Sequence, residues 1–208
     1  MKDVVSEKSL SPGPGDALIV VDVQNDFLPG GSLAVPGGDE IVPVAGRYAA
    51  IFRQRKLPLY FTRDWHPPDH SSFVEEGGTW PPHCVQGTEG AAFPAGLPVD
   101  PGDQVISKGD RRESDSYSAF KGTNLRERLD YQHIRRVFIC GLATDYCVLN
   151  TVKDALKNGF ETVFLVDGIR AVDVNPGDGE RAVEEMAALG AREARYGAVS
   201  AQGEDPGQ

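Results

Sequence analysis

Short apolar runs alternate along this chain with segments in which apolar positions recur every three or four residues. The runs ALIVVD (17–22), LPLYFT (57–62), QVISK (104–108), RVFICG (136–141) and TVFLVD (162–167) show little polar alternation, as strands buried on both faces do. A weaker sixth strand is predicted near AREAR (191–195), and helical spacing fills the gaps at about 41–55, 123–131, 145–158 and 178–189. Strand followed by helix, repeated, predicts an α/β fold. The expected form has three layers and is doubly wound, with a mostly parallel sheet of about six strands and helices on both faces. A single domain is expected over 16–200. Segments 1–15 and 201–208, rich in Gly, Pro, Ser and charge, are predicted to be flexible tails.

One stretch breaks the rhythm. Residues 64–103 form a long connection without clear periodicity that contains both tryptophans and three of the four histidines. Connections of that length inside a compact domain are usually functional or disordered, and this content favours function.

Composition narrows the classes. A length of 208 residues suits one well-cored domain. The formal charge of −10 leaves no basic stripe, so neither nucleic acid nor an anionic membrane is expected as a partner. The longest apolar runs are far shorter than a bilayer span, and the first 16 residues lack the apolar core of a signal peptide. Three cysteines in no framework pattern suit a reducing compartment, and a cytoplasmic location is expected.

In an open α/β sheet, ligands bind beyond the carboxyl ends of the strands. Asp22, Asp64 and Lys108 fall at or just past the ends of the first three predicted strands, and Cys147 follows the fourth. With Thr144 or Asp145 as N-cap, Cys147 would enter the first helical turn, where free N–H groups and the helix dipole favour a thiolate and could hold an oxyanion. Asp22 offers a carboxylate to accept and return the thiol proton, and Lys108 an ammonium that favours the ionised forms. Read blandly, Cys147 is a small core residue, Asp22 a turn cap and Lys108 a solvated strand end. Cys140, inside an apolar strand, fits the bland reading, and Cys84 stays open. Asp64, His66, His70 and His83 offer one carboxylate and three imidazoles to one divalent ion, Zn2+ first, with Fe2+ or Mn2+ as alternatives. Phe27 and Trp80 are apolar groups in polar loops, suited either to local packing or to walling a flat ligand.

Taken together, IVVDVQNDFLPGGSLAV (19–35), TRDWHPPDHSSF (62–73), TWPPHCVQGTEGA (79–91), SKG (107–109), DSYSAF (115–120) and GLATDYCVLNTVKDAL (141–156) resemble the nicotinamidase branch of the isochorismatase-like cysteine hydrolases. The likeness runs from about residue 17 to 170 and extends more weakly to about 199. It implies a six-stranded parallel sheet, a catalytic triad of Asp22, Lys108 and Cys147, and metal ligands Asp64, His66, His70 and His83. It also implies a substrate ring between Phe27 and Trp80 with Tyr117 nearby, and an oxyanion held by the backbone N–H groups of Ala143 and Cys147 after a cis peptide at Leu142–Ala143. The implied reaction is hydrolysis of nicotinamide to nicotinate and ammonia through a cysteine thioester, a step of NAD salvage, with the metal holding the pyridine nitrogen. The charged segment 109–115 is of a kind that varies among such enzymes. Alternatives are a relative acting on another small amide, a metallohydrolase whose nucleophile is water activated by the ion, and a non-catalytic binding module. Self-association into a homo-oligomer is left open.

Overall fold

Six strands form one sheet in the computed structural model, which describes residues 10–114 and 117–200. The strands are β1 (Asp16–Val21), β2 (Leu59–Asp64), β3 (Gln104–Lys108), β4 (Arg136–Leu142), β5 (Glu161–Arg170) and β6 (Arg192–Ala194). Their order across the sheet is β3-β2-β1-β4-β5-β6, and every pairing is parallel. The central strand β1 reads DALIVV and is buried throughout, as expected for a strand covered on both faces.

Side-chain alternation then divides the core in two. Leu18 and Val20 of β1 join Phe138 and Cys140 of β4 on one face, under α1 (Ile41–Gln54), whose Tyr48 and Phe52 are fully buried. Ala17, Ile19 and Val21 point the other way, with Val137 and Ile139. That face is covered by α2 (Leu125–Tyr131), α3 (Leu149–Lys157) and α4 (Asp178–Ala188), through Leu129, Val152 and Met186. Removing such large side chains from water contributes roughly 1.5–3 kcal/mol each. The three-layer α/β arrangement is as the pattern predicts.

Several boundaries differ from the sequence expectation. β2 starts and ends two residues later than 57–62 because its polar end, Arg63 and Asp64, pairs in register with Ser107 and Lys108 of β3. β5 continues beyond Asp167 to Arg170, with a register shift against β4 between Ile139 and Gly141. A short helix, α5 (Tyr196–Ser200), was not expected, since five residues are too few to display a period. Leu10, on the tail side of the expected boundary at residue 16, is buried and donates its N–H to the Ala198 carbonyl at 3.0 Å. Residues 1–9 and 201–208 of the expected tails, and Asp115 and Ser116 of the DSYSAF motif, lie outside the described residues. Among the described residues no helix is long and apolar enough to cross a membrane.

Strand order reverses between β1 and β4, and there the connecting helices leave to opposite faces, opening a crevice at the carboxyl ends.

Candidate functional site

Four of the expected side chains meet at that crevice. Asp22 is the first residue past β1; it adopts a left-handed backbone (φ 49°) and donates its N–H to the Thr62 carbonyl at 3.2 Å. The Thr62 hydroxyl donates in turn to Asp22 Oδ1 at 2.6 Å. Lys108, the last residue of β3, is 1% exposed. Its Nζ lies 2.7 Å from Asp22 Oδ2, 2.5 Å from Asp64 Oδ1 and 3.5 Å from Cys147 Sγ. Ligating atoms of Asp22, Asp64 and Cys147 all fall within 4.8 Å of one another. The network therefore joins the ends of three adjacent strands to the turn after a fourth.

Burial and charge act against each other here. Burial would lower the Lys108 pKa, but the carboxylates of Asp22 and Asp64 outweigh it and hold the ammonium well above its ordinary value. Burial also pushes Asp64 up, yet Lys108, His66 and His83 overcome this and leave its carboxyl well below the usual range. For Asp22, burial prevails over Lys108, and the pKa is raised. A raised carboxyl is the stronger base, which suits a proton acceptor.

Cys147 stands differently from the sequence expectation. Burial raises its pKa well above the ordinary thiol value, Lys108 pulls it down, and Asp22 and Asp64 push it up again. Burial therefore opposes the thiolate that a helix start was expected to favour, with Lys108 acting against burial. The local backbone also differs. Ala143, extended at φ −96° and ψ 150°, is the N-cap of a single π-helical turn, Thr144–Val148, that leads into α3. No side chain caps this turn; the Asp145 carboxylate instead accepts the N–H groups of Val172 and Asp173 at 3.0 and 2.9 Å. The Leu142–Ala143 peptide is cis, as expected. At Gly141 (φ 128°) a Cβ would lie 2.0 Å from the Val21 carbonyl oxygen, so only glycine lets β4 approach β1 this closely.

Histidines face the network from the long loop. Asp64, His66 and His83 bring one ligating atom each to within 4.8 Å of one another, and all three residues are buried. His66 Nδ1 lies 2.9 Å from the Gly109 carbonyl and His83 Nδ1 2.8 Å from the Pro81 carbonyl. A carbonyl only accepts, so each Nδ1 carries a hydrogen, the arrangement found behind metal-binding imidazoles. His66 Nε2 is 3.8 Å from Asp64 Oδ2. Burial lowers the His83 pKa, which keeps the ring neutral as ligation requires. The donor set, one carboxylate and two imidazoles, fits a divalent ion. His70 stands at the edge of this cluster. Its ring packs on His66 at a centroid distance of 4.1 Å, but Nδ1 is 2.7 Å from the Ser72 hydroxyl and Nε2 3.4 Å from the Ser114 carbonyl.

Between network and cluster lies a small pocket, about 40 Å³ in volume. Asp64, His83, Ala143 and Cys147 line it, and Phe27, Trp80 and Tyr117 wall it. Trp80 Nε1 donates to the Tyr117 hydroxyl at 2.8 Å, and Phe27 packs on His83 at 5.7 Å between centroids. Every residue expected at the ring or the nucleophile is therefore present in one cavity or against it. The sequence reading missed Tyr146 and Val172, which also line the pocket, and Gln24, which is fully buried behind it. Tyr146 meets Trp80 edge-on at 5.2 Å. Its position one residue before Cys147 was the available signal. Cys84 and Cys140 are fully buried, and burial raises the pKa of both.

The family model described as isochorismatase domain matches residues 16–195. The chain is 40% identical over 199 residues to the nicotinamidase of Escherichia coli (strain K12), covering 86% of this chain and 93% of that protein. The solved pyrazinamidase of Pyrococcus horikoshii in complex with zinc superposes with a TM-score of 0.84 at 45% identity, over 88% of this chain and 100% of the other. PnC1 from L. infantum in complex with nicotinate superposes with a TM-score of 0.85 at 40% identity, over 92% and 98%.

Proposed function

This chain belongs to the isochorismatase domain family, and from that premise we propose that it hydrolyses nicotinamide to nicotinate and ammonia, a step that returns nicotinamide toward NAD. The observation that carries the reading is the Cys147 thiol, set in a pocket lined by Phe27, Trp80 and Tyr117, with Lys108 and Asp22 on one side and the histidine cluster on the other. A divalent ion held by Asp64, His66 and His83, with His70 beside them and zinc the first candidate, would supply a fixed positive charge for the ring nitrogen.

The protein's own groups perform the steps. Phe27 and Trp80 flank the ring, with Tyr117 bonded to the indole, so the carboxamide carbon is held near Cys147 Sγ; orientation of this kind is worth several kcal/mol. Asp22 takes the thiol proton as sulfur attacks. The C–S bond forms, and the carbonyl electrons move to oxygen, where the backbone N–H groups of Ala143 and Cys147 hold the charge. The tetrahedral centre then collapses, the C–N bond breaks, and Asp22 returns the proton to the departing ammonia. Water adds to the Cys147 thioester, with its proton passing through Asp22; nicotinate leaves and the thiol is restored. Lys108 stays charged throughout, keeping two close carboxylates compatible with burial.

The test is ammonia release from nicotinamide and from benzamide, which lacks the ring nitrogen, with metal analysis of the same preparation. Nicotinamide should be hydrolysed and benzamide hardly at all. A metal-loaded protein that releases no ammonia from nicotinamide overturns the proposal.

A further inference from the structure

Gln24, Asn25 and Asp26 follow β1 in sequence and take no part in the chemistry above, yet each is spent on the backbone that carries the histidine cluster. The fully buried Gln24 amide closes a two-way clamp on Asp64: Nε2 donates to its carbonyl at 2.9 Å, and Oε1 accepts its N–H at 2.8 Å. The same Nε2 donates to the Ala91 carbonyl at 2.9 Å. Asn25 donates its N–H to the Ala92 carbonyl and its side-chain amide to the Glu89 carbonyl. Asp26 Oδ2 accepts the N–H of Cys84 at 2.7 Å, Oδ1 accepts that of Ser32 at 3.2 Å, and its own N–H goes to the Gly90 carbonyl at 3.0 Å. Gly90 packs so closely that a Cβ there would lie 2.2 Å from the Asp26 carboxylate.

Cys84 directly follows His83 and holds a left-handed backbone (φ 47°), which a cysteine does not adopt unaided. The Asp26 carboxylate on its N–H, together with the His66 N–H on its carbonyl at 3.0 Å, steadies this conformation. Gln24 fixes both main-chain polar groups of Asp64, so the carboxylate can move only by rotating its short side chain. Donor atoms of a metal site must be held to about 0.5 Å to keep their geometry. We infer that Gln24 and Asp26 are positioning residues that set the divalent-metal affinity of the site, by fixing the main chain at Asp64 and at His83–Cys84. This rests on the metal reading above.

The test measures Zn2+ affinity by chelator competition, and the visible absorption of the Co2+-loaded protein, on the full chain. Gln24→Met keeps the side-chain length without the three hydrogen bonds, and Asp26→Ala removes both acceptors. Each should weaken Zn2+ binding about 10- to 100-fold and change the Co2+ bands, the usual cost of losing a group behind a ligand. Asp26→Asn, which keeps one acceptor, should recover most of that loss while staying at least about threefold weaker than wild type; it carries the test if Asp26→Ala does not fold. Leu129→Ala, on the buried face of α2, is the control for general destabilisation and should leave affinity within about twofold. Unchanged affinity and Co2+ spectrum in both Gln24→Met and Asp26→Ala would overturn the inference, and so would an equal loss in Leu129→Ala. A folded wild type that binds neither ion sinks the metal reading itself, and the inference with it.

Discussion

The two sides of the pocket are built by different means. Asp22 and Lys108 stand at the ends of parallel strands and Cys147 on the turn after another, so the sheet sets their backbone; Asp64, at the end of β2, is shared by both sides and is held by Gln24 as well. His66, His70, His83 and Trp80 stand on a loop whose only regular features are one 3-10 turn, Val74–Glu76, and isolated bridges at His66–Val85 and Phe73–Trp80. To that loop's own backbone bonds are added side chains reaching main chain: Gln24 and Asp26, and Gln86 Nε2 to the Trp65 carbonyl at 2.8 Å. The reacting groups thus sit on rigid backbone, while the holding groups sit on backbone tied down one bond at a time. Damage to the first should abolish turnover with the ion still bound. Damage to the second should loosen ion and substrate and leave the thiol able to react.

The sharpest break of that comparison is Cys147→Ala. Loss of the nucleophile should lower kcat by on the order of 10⁴ or more, with metal content unchanged. Elemental analysis and ammonia release on one preparation check both halves, and a metal-loaded variant that still turns over would transfer the chemistry to the loop side. Iodoacetamide probes the same residue without mutation. Cys147 should be labelled first and be protected by nicotinamide, because it alone of the three cysteines lines the pocket. The reason is access; a standing thiolate is not needed, since the labelling draws on the small ionised fraction that the raised pKa leaves. Peptide mass spectrometry showing Cys84 modified first would contradict it.

Lys108→Met comes next. It leaves Asp22 and Asp64 buried without their shared cation, which should destabilise the fold by about 3–5 kcal/mol. Chemical denaturation measures this, and a loss under about 1 kcal/mol would mean the strand ends relax more than parallel pairing suggests. His66→Ala, on the other side, should cost little stability. It should lower metal occupancy and raise KM, with the affinity for Zn2+ falling at least tenfold. Full occupancy in this variant would remove His66 from the ligand set.

The same division decides what could be read from the sequence. Strand ends announce themselves, because an apolar run that stops at Asp22 or Lys108 names both the element and the residue at its mouth. The histidines were legible by type and density alone. What holds them was not, since the Gln24–Asp64 and Asp26–Cys84 bonds join residues 40 and 58 apart in the chain, and no local pattern encodes such a partner. Cys147 was found, but its depth was not: a helix start shows in the sequence, whereas the burial that pushes the thiol up does not. His70 was legible by its spacing from His66, while the Ser72 hydroxyl at its Nδ1 and the Ser114 carbonyl facing its Nε2 are visible only in the fold.

The smallest effect tests whether the division reaches the pocket wall. Trp80 belongs to the loop side and does two things there: its indole face walls the pocket, and its Nε1 donates to the Tyr117 hydroxyl at 2.8 Å. Trp80→Phe keeps an aromatic wall and deletes the bond. A neutral hydrogen bond contributes about 1 kcal/mol, which converts to roughly a fivefold change in binding. KM for nicotinamide should therefore rise about fivefold, with kcat within about twofold, because the thiol, Asp22 and Lys108 are untouched. Steady-state kinetics on the metal-loaded variant separate the two constants. If KM stays put, the wall stands by packing against Tyr146 alone, and the hydroxyl contact is incidental. If kcat falls as far as KM rises, Trp80 is helping to aim the amide at sulfur, and holding and reacting are not divided between loop and sheet as the geometry implies.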